Sequence, residues 1–309
     1  MMNDLDLSGR RISTATVKQV IKRNKASVFF CFVVALAVFV PFHVYSQPAA
    51  VASAHPLATD AGMDILNKGG NAFDAAIAVT ATLAVVEPYS SGIGGGGFWL
   101  LHINKENRDV MIDGRERAPL AASRNMYLDE NNNVVPDASI NGPLSAGIPG
   151  VPAAIEHLAL NYGKLPLSVT LEAAIRHANS GFKTDEHYQR MAGFREKALN
   201  KSTDAAKIFL HNKKAPLPGT LITQPDLAKT LRILASKGAR GFYQGELADR
   251  LVDSVVSHGG IWTREDLAAY KIIEREPVTG EYRGMKVVSA APPSSGGVAM
   301  IQMLNMLSD

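Results

Sequence analysis

Arg115 and Arg117, in the run GRERAP, are by type and place well suited to do chemistry. They follow an apolar run and precede Ala118-Pro119, so at least one guanidinium can be held in place instead of moving in solvent. A fixed guanidinium grips a carboxylate through two parallel hydrogen bonds. The competing reading is a surface charge at a strand end. Ser294 and Ser295, in PPSSGG, offer hydroxyls that could attack a carbonyl. They also stand just before a helix-like run, where serine hydroxyls cap backbone N–H groups. Other signatures are missing. There is no HExxH, no pair of histidines at metal-ligand spacing and no GxSxG elbow. The eight histidines are scattered, and neither a metal nor an organic cofactor is predicted.

The stretch SSGIGGGGFWLLHI, Ser90 to Ile103, holds five glycines within six positions. Gly92, Gly94 and Gly97 match the spacing GxGxxG. A dinucleotide fingerprint needs a strand before the glycines and a helix after them. Here the order is reversed: the Ala-rich run Asn71 to Pro88 precedes the loop and reads as a helix, and FWLLHI follows as a strand. GK[ST] is also absent. The glycines are therefore expected to let a helix and a buried strand approach closely.

The elements around these positions are legible in outline. Val51 to Ala54 reads as a short strand. Thr59 or Asp60 is placed to cap a helix carrying Met63, Ile65 and Leu66, stopped at Gly69-Gly70, with Asn71 capping the next. A hairpin is predicted from Phe98 to Gly114, its polar turn at Asn104 to Arg108 and its second strand ended by Arg115-Glu116-Arg117. A Gly/Pro elbow, Gly147 to Pro152, leads into a helix, and another runs from about Ser168 to Asn179. Segments through Lys214 are charged and mixed. Helices follow at TQPDLAKTLRILASKG, with Leu227, Leu231 and Leu234 on one face, and at GELADRLVDSVVSHGG. Thr263 caps toward Asp266. Strands are expected around Ile272 to Val278 and Met285 to Ala290, then a last helix. The class is α+β, with little strict βαβ alternation.

The 309 residues carry a formal charge of +3. Six Lys or Arg and two Asp fall within residues 1–26, so the remainder is close to neutral and offers no broad cationic face for nucleic acid. The basic head precedes an apolar run, Ser27 to Ser46, which reads as a signal peptide or membrane anchor. Val44 and Ser46 fit cleavage before Gln47; uncleaved, the run would tether the protein to a membrane. The expected location is exported, periplasmic or extracellular. Cys31, the single cysteine, lies inside this run, so the rest can form no intramolecular disulfide.

Taken in order, AHPLATDAG, ILNKGGNAFDAAIA, SGIGGGGF, GRERAP, GIPGVPA, WTREDLAAY and PPSSGG resemble the γ-glutamyltransferase (glutathione hydrolase) family, over roughly Ala49 to the end. The resemblance implies a partial αββα sandwich of the N-terminal-nucleophile hydrolase type in residues 47–309. It implies a precursor cleaved into large and small subunits. The nucleophile would be the N-terminal threonine of the small subunit, and the donor glutathione or another γ-glutamyl compound. GRERAP places Arg115 where the family grips the donor's α-carboxylate; Arg117 has the wrong offset from Ala-Pro. The cleavage site, the threonine and the oxyanion glycines fall beyond Asp309 in the family. The chain is thus read as most of a large subunit whose partner is the missing small subunit, and no catalytic residue is assigned within it. Two alternatives remain: an acylase of the cephalosporin or poly-γ-glutamate type, or a non-catalytic exported binding protein.

Overall fold

The expectations for the basic head and the apolar leader, Cys31 included, fall outside residues 49–308, which the computed structural model describes. Val51 to Ala54 forms no strand. The side chain of Val51 packs into the notch left by Gly62, 2.9 Å from where a Cβ would stand, and joins a small core with Ile65, Ala75 and Ala78. Helix α1, Pro56–Asn67, begins before Thr59 because His55 is its cap. The His55 Nδ1 accepts from the Leu57 N–H at 3.1 Å. Pro56 takes a first-turn position where a missing N–H costs nothing. Thr59 instead shares a hydrogen bond with the Ser53 hydroxyl.

Gly69, at φ +86°, turns the chain into α2, Ala72–Val86. Asn71 and Asp74 cap it reciprocally, as their spacing allows. Asp74 does more than that. Its fully buried carboxylate accepts from the backbone N–H of Asn71, Lys164 and Leu165, tying the start of α2 to the loop after helix α3, Val151–Asn161.

The hairpin forms as predicted, with β1, Gly97–Ile103, antiparallel to β2, Arg108–Gly114, from Gly97 opposite Gly114 to Ile103 opposite Arg108. Asn107 turns it in the left-handed region at φ 46°. The alternation in β2 does not separate core from solvent, because Val110 through Gly114 are all buried. Val110 and Ile112 enter the helical core with Ile77, Val85, Ile155 and Leu158. Met111 faces the other way, where the Ala291 N–H donates to its sulfur. On that side Lys286 reaches Asp109 at 2.7 Å.

The remaining elements complete these layers. Short α4, Leu167–Thr170, and α5, Glu172–Ser180, split the predicted helix at buried Leu171. The two-residue strands β3, Phe182–Lys183, and β4, Leu221–Ile222, pair with each other. Between them lie α6, Glu186–Leu199, and α7, Thr203–Phe209, which the charge-rich sequence hid. Only Tyr188 and Ala192 of α6 are buried, so no apolar stripe marks it, though Asp185 and Ser202 cap the two helices. Then come α8, Pro225–Lys237, with Leu231 and Leu234 fully buried, α9, Arg240–Tyr243, α10, Glu246–Ser257, and α11, Arg264–Ala268.

The strand expected at 272–278 breaks at Glu276-Pro277, since proline cannot continue a ladder. Its first part, β5, Ile273–Arg275, pairs with β2. Its second, β6, Val278–Tyr282, pairs with β7, Met285–Ser289. Helix α12, Ser295–Met306, closes on β6, with Ile301 seated against Gly280. Among the described residues β1 has β2 as its sole ladder partner.

Replacing Asp74 by Ala leaves three backbone donors without their buried carboxylate and should cost about 3 kcal/mol, read as a lower urea midpoint. His55 gives a pH dependence. Burial pulls its pKa below the ordinary histidine value, against the opposing pull of Glu87 and Asp185. His177 is lowered too, by burial first and then by Arg176 and His55. The unfolded chain therefore binds more protons in acid, and stability held above about pH 6.5 is lost as pH falls through the folded-state pKa. His55→Asn keeps a capping acceptor without a titrating ring. Thermal melts between pH 5 and 8 should show a shallower acid loss for it than for the unsubstituted chain.

Candidate active site: the glycine loop and the end of β2

The glycine loop leaves α2 and enters β1, and main chain packs on main chain there. A Cβ at Gly96 would stand 2.5 Å from the Glu116 nitrogen and 2.6 Å from the Gly114 oxygen. The Gly95 carbonyl accepts from the N–H groups of both Gly150 and Val151, at 2.8 and 3.1 Å. The loop's carbonyl thus satisfies the N-terminus of α3, which has no side-chain cap. A Cβ at Gly150 would collide with the Gly114 carbonyl and the Tyr270 hydroxyl. The packing role expected of this loop is what the structure shows. Beside it opens a cavity of about 480 Å³, lined among others by Thr80, Tyr89, Trp99 and Glu116.

β2 delivers Arg115 to the rim of this joint, one residue past the last ladder pair. Its N–H donates to Asp113 Oδ1 at 3.0 Å, and its carbonyl accepts from the Tyr270 hydroxyl at 2.7 Å. The side chain is 59% exposed, with Nε 3.2 Å from Glu116 Oε2. It lies 5.9 Å from the Phe98 ring. With Nε committed, its two terminal nitrogens still present a forked donor edge. The Glu116 side chain fits where Gly95, Gly96 and Gly147 have no Cβ. Arg117 is placed differently. It bridges Ile148 through two backbone hydrogen bonds, and its guanidinium lies over the Tyr270 ring at 5.5 Å.

The segment 262–275 holds this corner from outside. Arg275 Nε donates to Asp113 Oδ2 at 2.8 Å, and Asp113 is nearly fully buried. Tyr270 stacks on Tyr243, 5.5 Å between centroids and 3° from parallel. Burial, with Asp113 and Glu116 adding to it against Arg117, pushes the Tyr270 hydroxyl up to about 12. It is therefore a neutral donor at any ordinary pH. Tyr243 donates to the Pro149 carbonyl at 2.7 Å. Trp262 Nε1 donates to the Ala146 carbonyl, and Asp266 Oδ1 accepts from the Leu120 N–H. Thr263 and Asp266 form the predicted reciprocal cap.

Asp113, Tyr243 and Tyr270 were missed as site residues from sequence. Asp113 carried a weak signal, an acidic side chain two residues before the N–H it accepts from. Ser294 holds the N-cap position of α12 but makes no side-chain cap, so of capping and backbone positioning only the second is left to it. The helix begins at Ser295, two residues after the cis Pro292-Pro293 bond, without such help. Among the described residues neither Ser294 nor Ser295 hydrogen-bonds a histidine or carboxylate, and no group of three or more His, Cys, Asp or Glu gathers as a metal site.

The mixed helix-and-strand fold matches solved gamma-glutamyltranspeptidases, which places it in the class of N-terminal-nucleophile hydrolase folds. The family model described as gamma-glutamyltranspeptidase matches residues 58–309, and the chain belongs to that family. It is 42% identical over 265 residues to the glutathione hydrolase proenzyme of Pseudomonas sp. (strain A14), covering 85% of this chain and 46% of that protein. The chain thus spans about half the length of the curated relatives it matches. The Helicobacter pylori gamma-glutamyltranspeptidase structure superposes with TM-score 0.82 at 41% identity, covering 85% of this chain and 75% of that one. The cephalosporin acylase of Bacillus halodurans superposes with TM-score 0.73 at 32% identity, covering 87% and 53%.

Gly96→Ala sets a methyl against main-chain atoms that cannot yield. It should destabilise the protein by about 2–3 kcal/mol, measurable by denaturant unfolding. Gly94→Ala, with open space around its Cβ position, should change stability by less than about 0.5 kcal/mol.

Proposed function

We propose that the complete protein transfers the γ-glutamyl group of glutathione or a related donor to water, an amino acid or a peptide. Arg115 is the residue that grips the donor's α-carboxylate. The observation carrying this is a guanidinium whose backbone is tied on both sides while its forked edge stays open. Two parallel N–H donors fit a carboxylate. Arg117 is the lesser candidate, because its offset from Ala118-Pro119 does not match the family motif; its guanidinium lies over the Tyr270 ring.

The bond-breaking hydroxyl belongs to the portion of the family that this chain does not span. Family membership supports an N-terminal threonine released when the precursor is cleaved, with its own amine as the base. The hydroxyl oxygen adds to the γ-carbonyl carbon as its proton passes to the amine. The tetrahedral oxyanion then collapses, expelling the amine half of the donor, which takes that proton. Water or an acceptor amine reverses the sequence on the acyl-enzyme, and the threonine hydroxyl is restored. Backbone N–H groups aimed at the oxyanion would supply the largest electrostatic share. Residues 49–308 contribute the carboxylate end of the site, and the partner is the small subunit. The basic head and apolar leader support export, with cleavage before Gln47 or retention as an anchor. Among the described residues no helix is long and apolar enough to cross a membrane.

An acylase reading draws support from the cephalosporin acylase superposition. The two differ in whether the acyl group carries an α-carboxylate beside its amine, as a γ-glutamyl group does. The complete, processed protein should release chromophore from γ-glutamyl-p-nitroanilide, and the 309-residue chain alone should release none. Arg115→Ala should weaken use of this donor by about 3 kcal/mol in kcat/KM, with Arg117→Ala changing it only a few-fold. The reverse ranking would place the grip at Arg117. Turnover by the 309-residue chain would place the nucleophile inside it.

A further inference from the structure

We infer that Tyr270 is a positioning residue for the Arg115 grip, acting through the Arg115 main chain. The inference rests on the proposed role of Arg115 and adds a residue to that site.

The strand ladder cannot hold Arg115. The last β1–β2 pair is Gly97 with Gly114, so Arg115 is the first residue without a strand partner. Both of its backbone groups are nonetheless engaged. The N–H goes to Asp113, and the carbonyl takes the Tyr270 hydroxyl from 155 residues further along the chain. A peptide unit beyond a ladder, free of these bonds, would rotate and carry its guanidinium with it.

The hydroxyl can serve as a fixed point because its ring is buried and stacked. Tyr270 is stacked face to face on Tyr243, and Tyr243 is itself tied to the Pro149 carbonyl and the Ala153 N–H. The Arg117 guanidinium lies over the Tyr270 ring. Clearance for the hydroxyl is provided by Gly150, where any Cβ would strike it. The same glycine starts α3 and donates to the Gly95 carbonyl. The tyrosine hydroxyl, the glycine joint and the arginine backbone are therefore one contiguous unit. Asp113 completes it, with one carboxylate oxygen on the Arg115 N–H and the other on Arg275.

Tyr270→Phe removes the hydroxyl and keeps the ring, so the stack and the fold are retained. In the complete, processed protein this variant should raise KM for γ-glutamyl-p-nitroanilide about ten-fold, with kcat within about two-fold. The control donor is 4-aminobutyryl-p-nitroanilide, which keeps the amine and the amide but lacks the α-carboxylate. Its kcat/KM should be the same in the variant and the unsubstituted protein. Equal losses on both donors, or an unchanged KM for the glutamyl donor, overturn the inference. A second readout does not need turnover. In the complete, processed protein without substrate, deuterium uptake of the peptide carrying Arg115 should quicken about ten-fold in Tyr270→Phe, while uptake in α2 stays unchanged. Unchanged uptake at Arg115 overturns the positioning role by itself. A complete, unsubstituted protein that leaves γ-glutamyl donors intact overturns the functional reading instead.

Discussion

The organisation of this protein depends on a contact between stretches of main chain with nothing between them. Gly96 lies against Gly114 and Glu116, and Gly150 against Gly114, at separations that no side-chain carbon tolerates. The contact sets where β2 stops, where α3 starts and where the carbonyl of Gly95 points. Backbone groups buried at such a joint need partners of their own. They find them in one another, since the loop's carbonyl meets the N–H groups at the helix start. The tight joint thus pairs the Gly95 carbonyl with the start of α3, and it fixes the position of the residues just past β2.

Those residues are held more for placement than for energy. The Arg115–Glu116 pair is largely exposed, and a pair in that setting contributes at most about 1 kcal/mol. Glu116 instead occupies one nitrogen of the guanidinium and sits in a pocket that three glycines leave open. The buried anchor is Asp113, which divides its two oxygens between a main-chain donor and Arg275. A buried carboxylate with partners on both oxygens resists displacement, because removing either partner strands a charge. The outer side chain remains adaptable while the inner one does not.

Many local features of this fold were legible in the sequence, and the distant ones were not. Asn71, Asp74, Thr263 and Asp266 announce their caps through three-residue spacing, and Gly69 and Gly238 announce their turns. The hairpin was readable from its two apolar runs. By contrast, α6 and α7 keep few residues in the core and so lack the apolar periodicity that marks a helix. His55 was hidden as a cap because histidine rarely serves as one, and Pro56 was the clue passed over. Pro277 cut the expected strand into pieces belonging to two different sheets. At the site, Arg115 stood out through its motif. Tyr270 did not, since nothing local connects a tyrosine after a short helix to a carbonyl 155 residues earlier.

That separation bears on how the molecule is made. The hairpin and the capped helices draw on neighbours and can form early. The corner takes Tyr270 from 155 residues downstream of Arg115 and Arg275 from 162 residues downstream of Asp113. Closing so long a loop is entropically costly and slow. During synthesis on the ribosome the arginine emerges well before its tethers. For that interval the corner is an untethered strand end, and it becomes an ordered rim only after the chain past Arg275 has been released to fold back on it.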